Sequence, residues 1–203
     1  MQTQLQIMLE LQDAMNTRVN LSWRSEKFEW YRAIWIECAE LMDHYGWKWW
    51  KHQSPDLEQV KLELIDIWHF GLSILLQDNI PSPVILVELE EALGSDKKDD
   101  FKDILENFAL STLESKDFSI PLFVALLEAT DMSFDDLYCG YVGKNVLNFF
   151  RQDHGYKDGS YKKVWGGKED NEHLVELVSK LDTSDKQFSD KLYAGLKARY
   201  CKL

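Results

Sequence analysis

Apolar residues recur at the three- and four-residue spacing of an α-helix along almost the whole chain, and no convincing stretch alternates with the two-residue period of a strand. Only four prolines and ten glycines interrupt this pattern in 203 residues. The spacing predicts helices at about 3–19, 26–45, 56–78, 83–93, 100–110, 119–128, 133–150, 170–181 and 185–199. Residues 94–100 are expected to form a charged loop. We therefore predict an all-α helical bundle, organised as a single domain over residues 1–203.

Two pairs of acidic residues are embedded in apolar helical stretches: Glu37 with Glu40, and Glu63 with Asp66. Residues three apart project from the same helix face, so packing the two faces together would gather four carboxylates. At ~4 Å and an effective dielectric of ~20, two like charges repel by about 4 kcal/mol, so such acids need protons, basic partners or metal ions. Oxygen ligands favour hard cations, Mg²⁺ first, which is the chemistry of phosphate-ester hydrolysis. A solvated acidic face is the alternative, but these acids interrupt apolar stripes.

Other polar or aromatic residues also stand out against the apolar pattern. Gln12 and Asn16 lie on the apolar face of the first predicted helix, where a carboxamide can read a base through its donor and acceptor or can simply be satisfied within the core. His69 follows Asp66 by three positions, and either supplies a nitrogen ligand or packs beside the acids. Residues 47–50 contain three tryptophans, which either stack on a base or fill the core.

A basic region lies late in the chain. Residues 144–168 have a local net charge of +4, and Lys144, Asn148 and Arg151 share one helix face by their spacing. Residues 152–170 contain four glycines and little apolar periodicity, and loops of this length in compact domains are usually functional or disordered. We predict a flexible lid that binds phosphate, with a solvated basic loop as the alternative.

The overall composition narrows the class of partner. The net charge of −12 argues against a nucleic-acid-binding surface. The cysteines, Cys38, Cys139 and Cys201, are odd in number and far apart, which favours reduced thiols in a cytoplasmic protein. The N-terminus resembles no signal peptide, and the longest apolar stretch is too short to span a bilayer, so we expect no membrane partner.

Taken together, the motifs resemble the dimeric, all-α deoxyuridine triphosphatases (dUTPases), a branch of the all-α nucleoside triphosphate pyrophosphohydrolases. The carboxylate pairs are shared across that superfamily, whereas the C-terminal motifs are specific to the dUTPase branch. The matching segments are Leu11 to Asn16, Ile36-Glu-Cys-Ala-Glu-Leu41, Trp47-Lys-Trp49, Glu63-Leu-Ile-Asp-Ile-Trp-His69, Tyr141-Val-Gly-Lys-Asn-Val-Leu-Asn-Phe-Phe-Arg151, Gly155-Tyr-Lys-Asp-Gly-Ser-Tyr-Lys162 and Gly167-Lys-Glu-Asp-Asn171.

The resemblance implies a set of site residues. The ligands of the metal, Mg²⁺ with more than one ion per site, would be Glu37, Glu40, Glu63 and Asp66. The contacts to uracil would come from Gln12, Asn16 and Trp49, with His69 near the deoxyribose. The sugar and phosphates would be bound by Lys144, Asn148, Arg151, Tyr156, Lys162 and Asn171.

The resemblance also implies the reaction, which is hydrolysis of dUTP, and of dUDP, to dUMP by a homodimer, keeping uracil out of DNA. Mg²⁺ would neutralise charge on the phosphates, and a glutamate would take the proton of a water that attacks the α-phosphorus. Glu37 and Glu40 are the candidate catalytic residues, and we choose Glu37 as the base.

Three other functions remain open from the sequence. The same hydrolysis could act on another nucleotide. A di-metal redox bundle usually carries two Glu-x-x-His repeats, whereas this chain has only the related Asp66-x-x-His69. A helical interaction module without catalysis would leave the acids merely solvated.

Overall fold

The computed structural model describes residues 1–94, 100–183, 185 and 187–200. Its elements are α1 (Gln2–Val19), α2 (Trp23–Glu26), α3 (Trp30–Tyr45), α4 (Leu57–Gln77), α5 (Ser82–Ala92), α6 (Phe101–Ser115), α7 (Ile120–Ala129), α8 (Phe134–Asp153), β1 (Val164–Trp165), β2 (Lys168–Glu169), α9 (Asp170–Val178) and α10 (Phe188–Tyr200). The predicted all-α class is confirmed. Of the predicted charged loop 94–100, residues 95–99 lie outside the described part.

Several helix boundaries differ from the sequence prediction, and the short helix α2 and the two strands were not predicted at all. Helix α3 begins at Trp30 rather than near residue 26, because Lys27 adopts a left-handed backbone conformation with φ of 49° and ends the short α2. Helix α6 continues to Ser115, five residues beyond its predicted end. Strands β1 and β2 form an antiparallel pair of two residues each, which is too short to produce a visible alternation.

Helix α4 forms the centre of the bundle. Leu64, Trp68 and Leu72 are fully buried, since α4 is packed by α1, α3 and α8. The Trp68 ring stacks on Phe123 with centroids 5.2 Å apart. Gly71 lets an aromatic ring approach the helix backbone, because a Cβ there would stand 2.7 Å from Phe118. The core thus holds α4 rigidly, and the acids of α4 with it.

Helix α8 carries the basic face towards α4. It begins at a capping box, in which the Ser133 hydroxyl accepts from the Asp136 amide and the Asp136 carboxylate accepts from the Ser133 amide. Contacts with α1, α4 and α10 fix its course. Lys144, about three turns into the helix, and Arg151, in its last turn, therefore face the acids of α3 and α4.

The segment from 154 to 169 is packed by aromatic residues that the sequence analysis did not weigh. Trp165 is buried against Phe150 and Tyr200, and the Tyr161 ring stacks on Tyr200 at 5.5 Å. The indole of Trp165 also donates to the Lys162 carbonyl oxygen. Apolar contacts with α8 and α10 thus offset part of the entropy lost when a glycine-rich loop is ordered.

Two further findings bear on the class of protein. Cys38 and Cys139 carry free thiols, while Cys201 lies outside the described residues. Within the described ranges, we find no helix with the length and apolar character needed to span a bilayer.

Candidate active site

A cluster of carboxylates lies where α3 packs along α4. Glu37 of α3 and Glu63 and Asp66 of α4 place one oxygen each within 4.8 Å of the others. Glu63 is buried and the other two are partly buried. Glu40, one turn after Glu37, is exposed and lies at the rim of the same cleft. The structure therefore brings together three of the four predicted metal ligands tightly and places the fourth beside them.

Burial and mutual repulsion change the proton affinity of this cluster. Burial, followed by the charges of Asp66, Glu63 and Glu40, raises the pKa of Glu37 to about 8. Burial also raises the pKa of Glu63, with a further rise from Asp66 that Lys144 opposes. At neutral pH the cluster therefore retains a proton unless a cation compensates its charge.

Two basic side chains reach the cluster. The Nζ atom of Lys144 lies 2.8 Å from Asp66 Oδ2 and donates to Asn171 Oδ1 at 3.1 Å, and this lysine is only 3% exposed. His44 Nε2 stands 3.6 Å from Glu63 Oε1. One buried ammonium leaves three carboxylates under-compensated, and the donors are all hard oxygens. This set fits a divalent cation such as Mg²⁺.

Arg151 is held next to the cleft by a buried carboxylate. Its Nε and Nη2 atoms donate to the two oxygens of Asp170, each at 2.8 Å, and its Nη1 donates to Asn148 at 3.1 Å. The Tyr161 hydroxyl donates to Asp170 at 2.9 Å. Asp170, at the start of α9, thus connects the Arg151 guanidinium on α8 with Tyr161 in the segment 154–169. The two parallel hydrogen bonds between Arg151 and Asp170 fix the plane of the guanidinium group.

A second compartment opens beside the acids. This cavity of about 340 Å³ is lined by Gln12, Met15, Asn16, Val19, Asn20, Trp23, Phe28, Trp30, Glu37, Asp66, His69, Phe70, Asn148, Arg151, Gln152 and Tyr156. The acidic cleft, of about 820 Å³, shares Glu37, Asp66, Arg151 and Tyr156 with it. An apolar, amide-containing cavity and a charged cleft thus meet along one wall, a form suited to a ligand with a flat ring at one end and phosphates at the other.

A buried hydrogen-bond network forms the floor of the smaller cavity. Gln12 Oε1 accepts from the Tyr141 hydroxyl at 2.9 Å and lies 2.8 Å from His69 Nδ1. Gln12 Nε2 donates to Asn16 Oδ1 and to Ser73 Oγ, both at 3.0 Å. All four hydrogen-bonding positions of Gln12 are therefore occupied, whereas the described residues leave one donor and one acceptor position of Asn16 free.

His69 is a neutral histidine with one nitrogen unused. Its ring stacks on Tyr141 with centroids 4.2 Å apart. Burial lowers the pKa of His69 to about 4. Because Gln12 Oε1 can only accept, His69 Nδ1 carries the proton, and the buried Nε2 has no hydrogen-bond partner among the described residues. The Nε2 lone pair is thus available to a hydroxyl group of a ligand.

Two predicted substrate-binding residues lie apart from both compartments. Trp49 is 90% exposed and packs edge-to-face on Trp50, so these tryptophans do not fill the core of a single copy of the chain. The core-filling interpretation is therefore wrong for the monomer. Lys162 is exposed, and the neighbouring Lys163 lines the acidic cleft instead. Both substrate roles stay predictions.

Three residues of the site were missed by sequence reasoning: Ser73, Tyr141 and Asp170. Ser73 follows His69 by four positions, so the spacing predicts that both lie on the same helix face. Nothing in the sequence, however, indicates that Ser73 is hydrogen-bonded to Gln12 and Asn16. Asp170 looked like an ordinary acidic residue in the first turn of a helix. Only the approach of α8 shows that it is paired with Arg151.

Comparison with known proteins identifies the family of this chain. No curated protein matches the chain. A family model described as dUTPase matches residues 4–156, about three quarters of the chain. The matched region contains all three clustered carboxylates and the amide network. The chain belongs to the dUTPase family, and it is a dUTP diphosphatase.

Proposed function

We propose that this enzyme hydrolyses dUTP, and also dUDP, to dUMP in a Mg²⁺-dependent reaction with water attack at the α-phosphorus. The observation that carries the proposal is the shared wall of the two compartments, where Glu37 and Asp66 belong both to the carboxylate cluster and to the amide-lined cavity. A nucleotide with its base in the smaller cavity would extend its phosphates over the acids.

The residues that would hold Mg²⁺ are Glu37, Glu63 and Asp66, with Glu40 beside them. Bound there, Mg²⁺ supplies positive charge against the phosphates and activates the attacking water. The fit rests on three oxygen donors within 4.8 Å of one another, opposed by one buried ammonium in the described part of the chain, that of Lys144.

In this proposal the side-chain amides of Gln12 and Asn16 have different roles. Asn16 has the free donor and acceptor that uracil needs, so it contacts the base. Gln12 is saturated by protein partners and holds Asn16 and His69 in place. His69 Nε2 accepts a hydrogen bond from the deoxyribose. The aromatic residues Trp23 and Phe28 line the same cavity and exclude water from the base.

The phosphates are bound in the acidic cleft by lining residues other than the carboxylates. Lys144 and Arg151 supply positive charge, while Tyr156 and Asn171 supply neutral polar groups at the cleft. Lys162 joins them in the substrate complex. Glu37 takes the proton of the attacking water, because its carboxylate lies at the junction of base cavity and acidic cleft and is ionised once a cation compensates the cluster.

A nucleotide panel tests the proposal and separates it from hydrolysis of another nucleotide. The purified chain with Mg²⁺ is offered dUTP, dUDP, dCTP, dTTP and UTP, and the monophosphates are separated by ion exchange. We expect dUMP from both deoxyuridine substrates, with the other three far slower. Cytosine mismatches the hydrogen-bonding edge, which can cost factors of ~10⁴. The methyl group of dTTP would clash with the cavity wall, and packing near His69 would exclude the 2′-hydroxyl of UTP. Reaction in ¹⁸O-labelled water should place the label in dUMP. Comparable kcat/KM for dUTP and dCTP contradicts the choice of base, and label in pyrophosphate contradicts attack at the α-phosphorus.

The homodimer and the cytoplasmic location belong to this proposal as well. The free thiols of Cys38 and Cys139 support a reducing compartment.

A further inference from the structure

Ser73 stands at the centre of the buried network without contacting either compartment. It lies on α4 and is fully buried. Its Oγ donates to the His69 carbonyl oxygen at 2.9 Å, and it accepts from Gln12 Nε2 and Asn16 Nδ2, each at 3.0 Å. A serine hydroxyl has one proton and two acceptor positions, so all three are in use.

The direction of the three hydrogen bonds at Ser73 Oγ follows from one group, the main-chain carbonyl of His69. A main-chain carbonyl oxygen only accepts, so the Ser73 proton is committed to His69 O. Ser73 Oγ can then only accept from Gln12 and Asn16. Both carboxamides must present their NH₂ groups to Ser73, because turning either one around would bring an amide oxygen against the lone pairs of Ser73 Oγ.

The fixed orientation of Gln12 extends to its other partners. With Nε2 turned to Ser73, Gln12 Oε1 faces His69 Nδ1 and the Tyr141 hydroxyl. Tyr141 also reaches the carbonyl oxygen of Met8, so it could accept from a reversed Gln12 without losing its own donor contact. Tyr141 therefore does not set the direction, and Ser73 does.

The orientation of an amide decides which pyrimidine it recognises. Uracil offers a donor at N3 and an acceptor at O4, whereas cytosine offers an acceptor at N3 and a donor at N4. A carboxamide turned by 180° exchanges its donor and acceptor, so a reversed Asn16 would suit cytosine. We propose that Ser73 is a specificity-determining positioning residue, whose hydroxyl locks Asn16 in the orientation that reads uracil. This inference rests on the proposed function.

The test compares Ser73→Ala with wild type for kcat/KM on dUTP and dCTP. Without the hydroxyl, Asn16 can reverse together with Gln12, whose Nε2 donates to Asn16 Oδ1 in the wild type. We expect the dUTP-to-dCTP ratio to fall by about tenfold or more, partly through a lower KM for dCTP. Thr112→Val is the matched control, since it also removes one fully buried hydroxyl, on α6, that has no hydrogen-bond partner. Its ratio should equal that of wild type. An unchanged ratio in Ser73→Ala overturns the proposal.

A second measurement tests the network independently of activity and of whether Ser73→Ala folds. The ¹⁵N shifts of His69 in the wild-type protein, assigned with His69→Gln, report which ring nitrogen carries the proton. The network requires a protonated Nδ1 and an unprotonated Nε2 at neutral pH. A protonated Nε2 would mean that Gln12 is reversed and would overturn the inference. Wild-type protein that leaves dUTP intact would contradict the proposed function, and the tautomer would still decide the direction of the network.

Discussion

Glu37 shows how strongly the surroundings of one residue decide its chemistry. An exposed glutamate is ionised at pH 7, but burial beside Asp66 and Glu63 raises the pKa of Glu37 to about 8. Lys144 compensates only part of this negative charge, by pairing with Asp66. The cluster in the cation-free protein is therefore balanced by a proton, and a divalent cation would take over that balance.

Binding of Mg²⁺ should accordingly release protons. At pH 7 Glu37 is protonated in the cation-free enzyme and ionised with the cation bound, so about one proton leaves per binding event, and affinity rises with pH up to about 8. Titration calorimetry in two buffers of different ionisation enthalpy measures the number released. The same experiment on Glu37→Gln should show almost no release. Equal proton release by both proteins would show that a group other than Glu37 loses the proton.

The sequence indicated individual residues where the spacing within one helix was sufficient. The pair Glu63 and Asp66 could be predicted as a site because both acids interrupt an apolar face of one helix. Ser73 and Asp170 could not, since their roles depend on α1 and α8 approaching from elsewhere in the chain. A local pattern contains no information about such tertiary partners.

The glycine-rich segment between α8 and α9 combines anchored and free parts. Trp165 and Tyr161 fix it against α10 through their contacts with Tyr200. Lys162 and Lys163 are exposed between these two anchors. The glycines and lysines stood out in the sequence, and their lid role stays a prediction, whereas the aromatic contacts depend on α10, which packs there only in the folded chain.

The exposed part of this segment should become protected when nucleotide binds. Lys163 lines the acidic cleft, so phosphates drawn there would order the chain around it. Limited trypsin digestion with a non-hydrolysable dUTP analogue and Mg²⁺ should cut more slowly after Lys162 and Lys163 than digestion without them. Cleavage after Lys116, in a turn at the end of α6, is the internal control and should not change. Equal cutting at Lys162 and Lys163 in both conditions would make the segment a passive basic loop.

On the surface of the described residues, a group of exposed aromatic and apolar side chains lies on α3 and just after it. Trp35 and Ile36 of α3 and Trp47, Trp49 and Trp50 just after it are all at least 42% exposed. Clusters of exposed large apolar residues mark interaction surfaces. The resemblance to dimeric dUTPases implied a second subunit, but the position of this surface could not be predicted from periodicity, because Trp35 and Ile36 also fit an apolar helix face.

We therefore expect a homodimer in solution. Light scattering at micromolar protein should give about twice the chain mass of 23.8 kDa. Ile36→Lys, which places a charge on the exposed face of α3, should shift the mass towards that of one chain because a buried unpaired charge is costly. Glu26→Gln, at an exposed position of α2, is a control with the same charge change of +1 and should leave the mass as in wild type. A wild-type mass near 23.8 kDa would contradict the dimer.

The most direct test of the central claim is the rate of pyrophosphate release from dUTP by Glu63→Gln at saturating Mg²⁺. Glu63 is the buried member of the carboxylate cluster, and the substitution keeps its shape while removing its charge. Glu58→Gln makes the same change at an exposed position in the first turn of the same helix. The account predicts that kcat falls by well over tenfold in Glu63→Gln and stays near wild type in Glu58→Gln. A folded Glu63→Gln enzyme that retains more than about a tenth of wild-type kcat, a loss below ~1.4 kcal/mol of transition-state stabilisation, would contradict it.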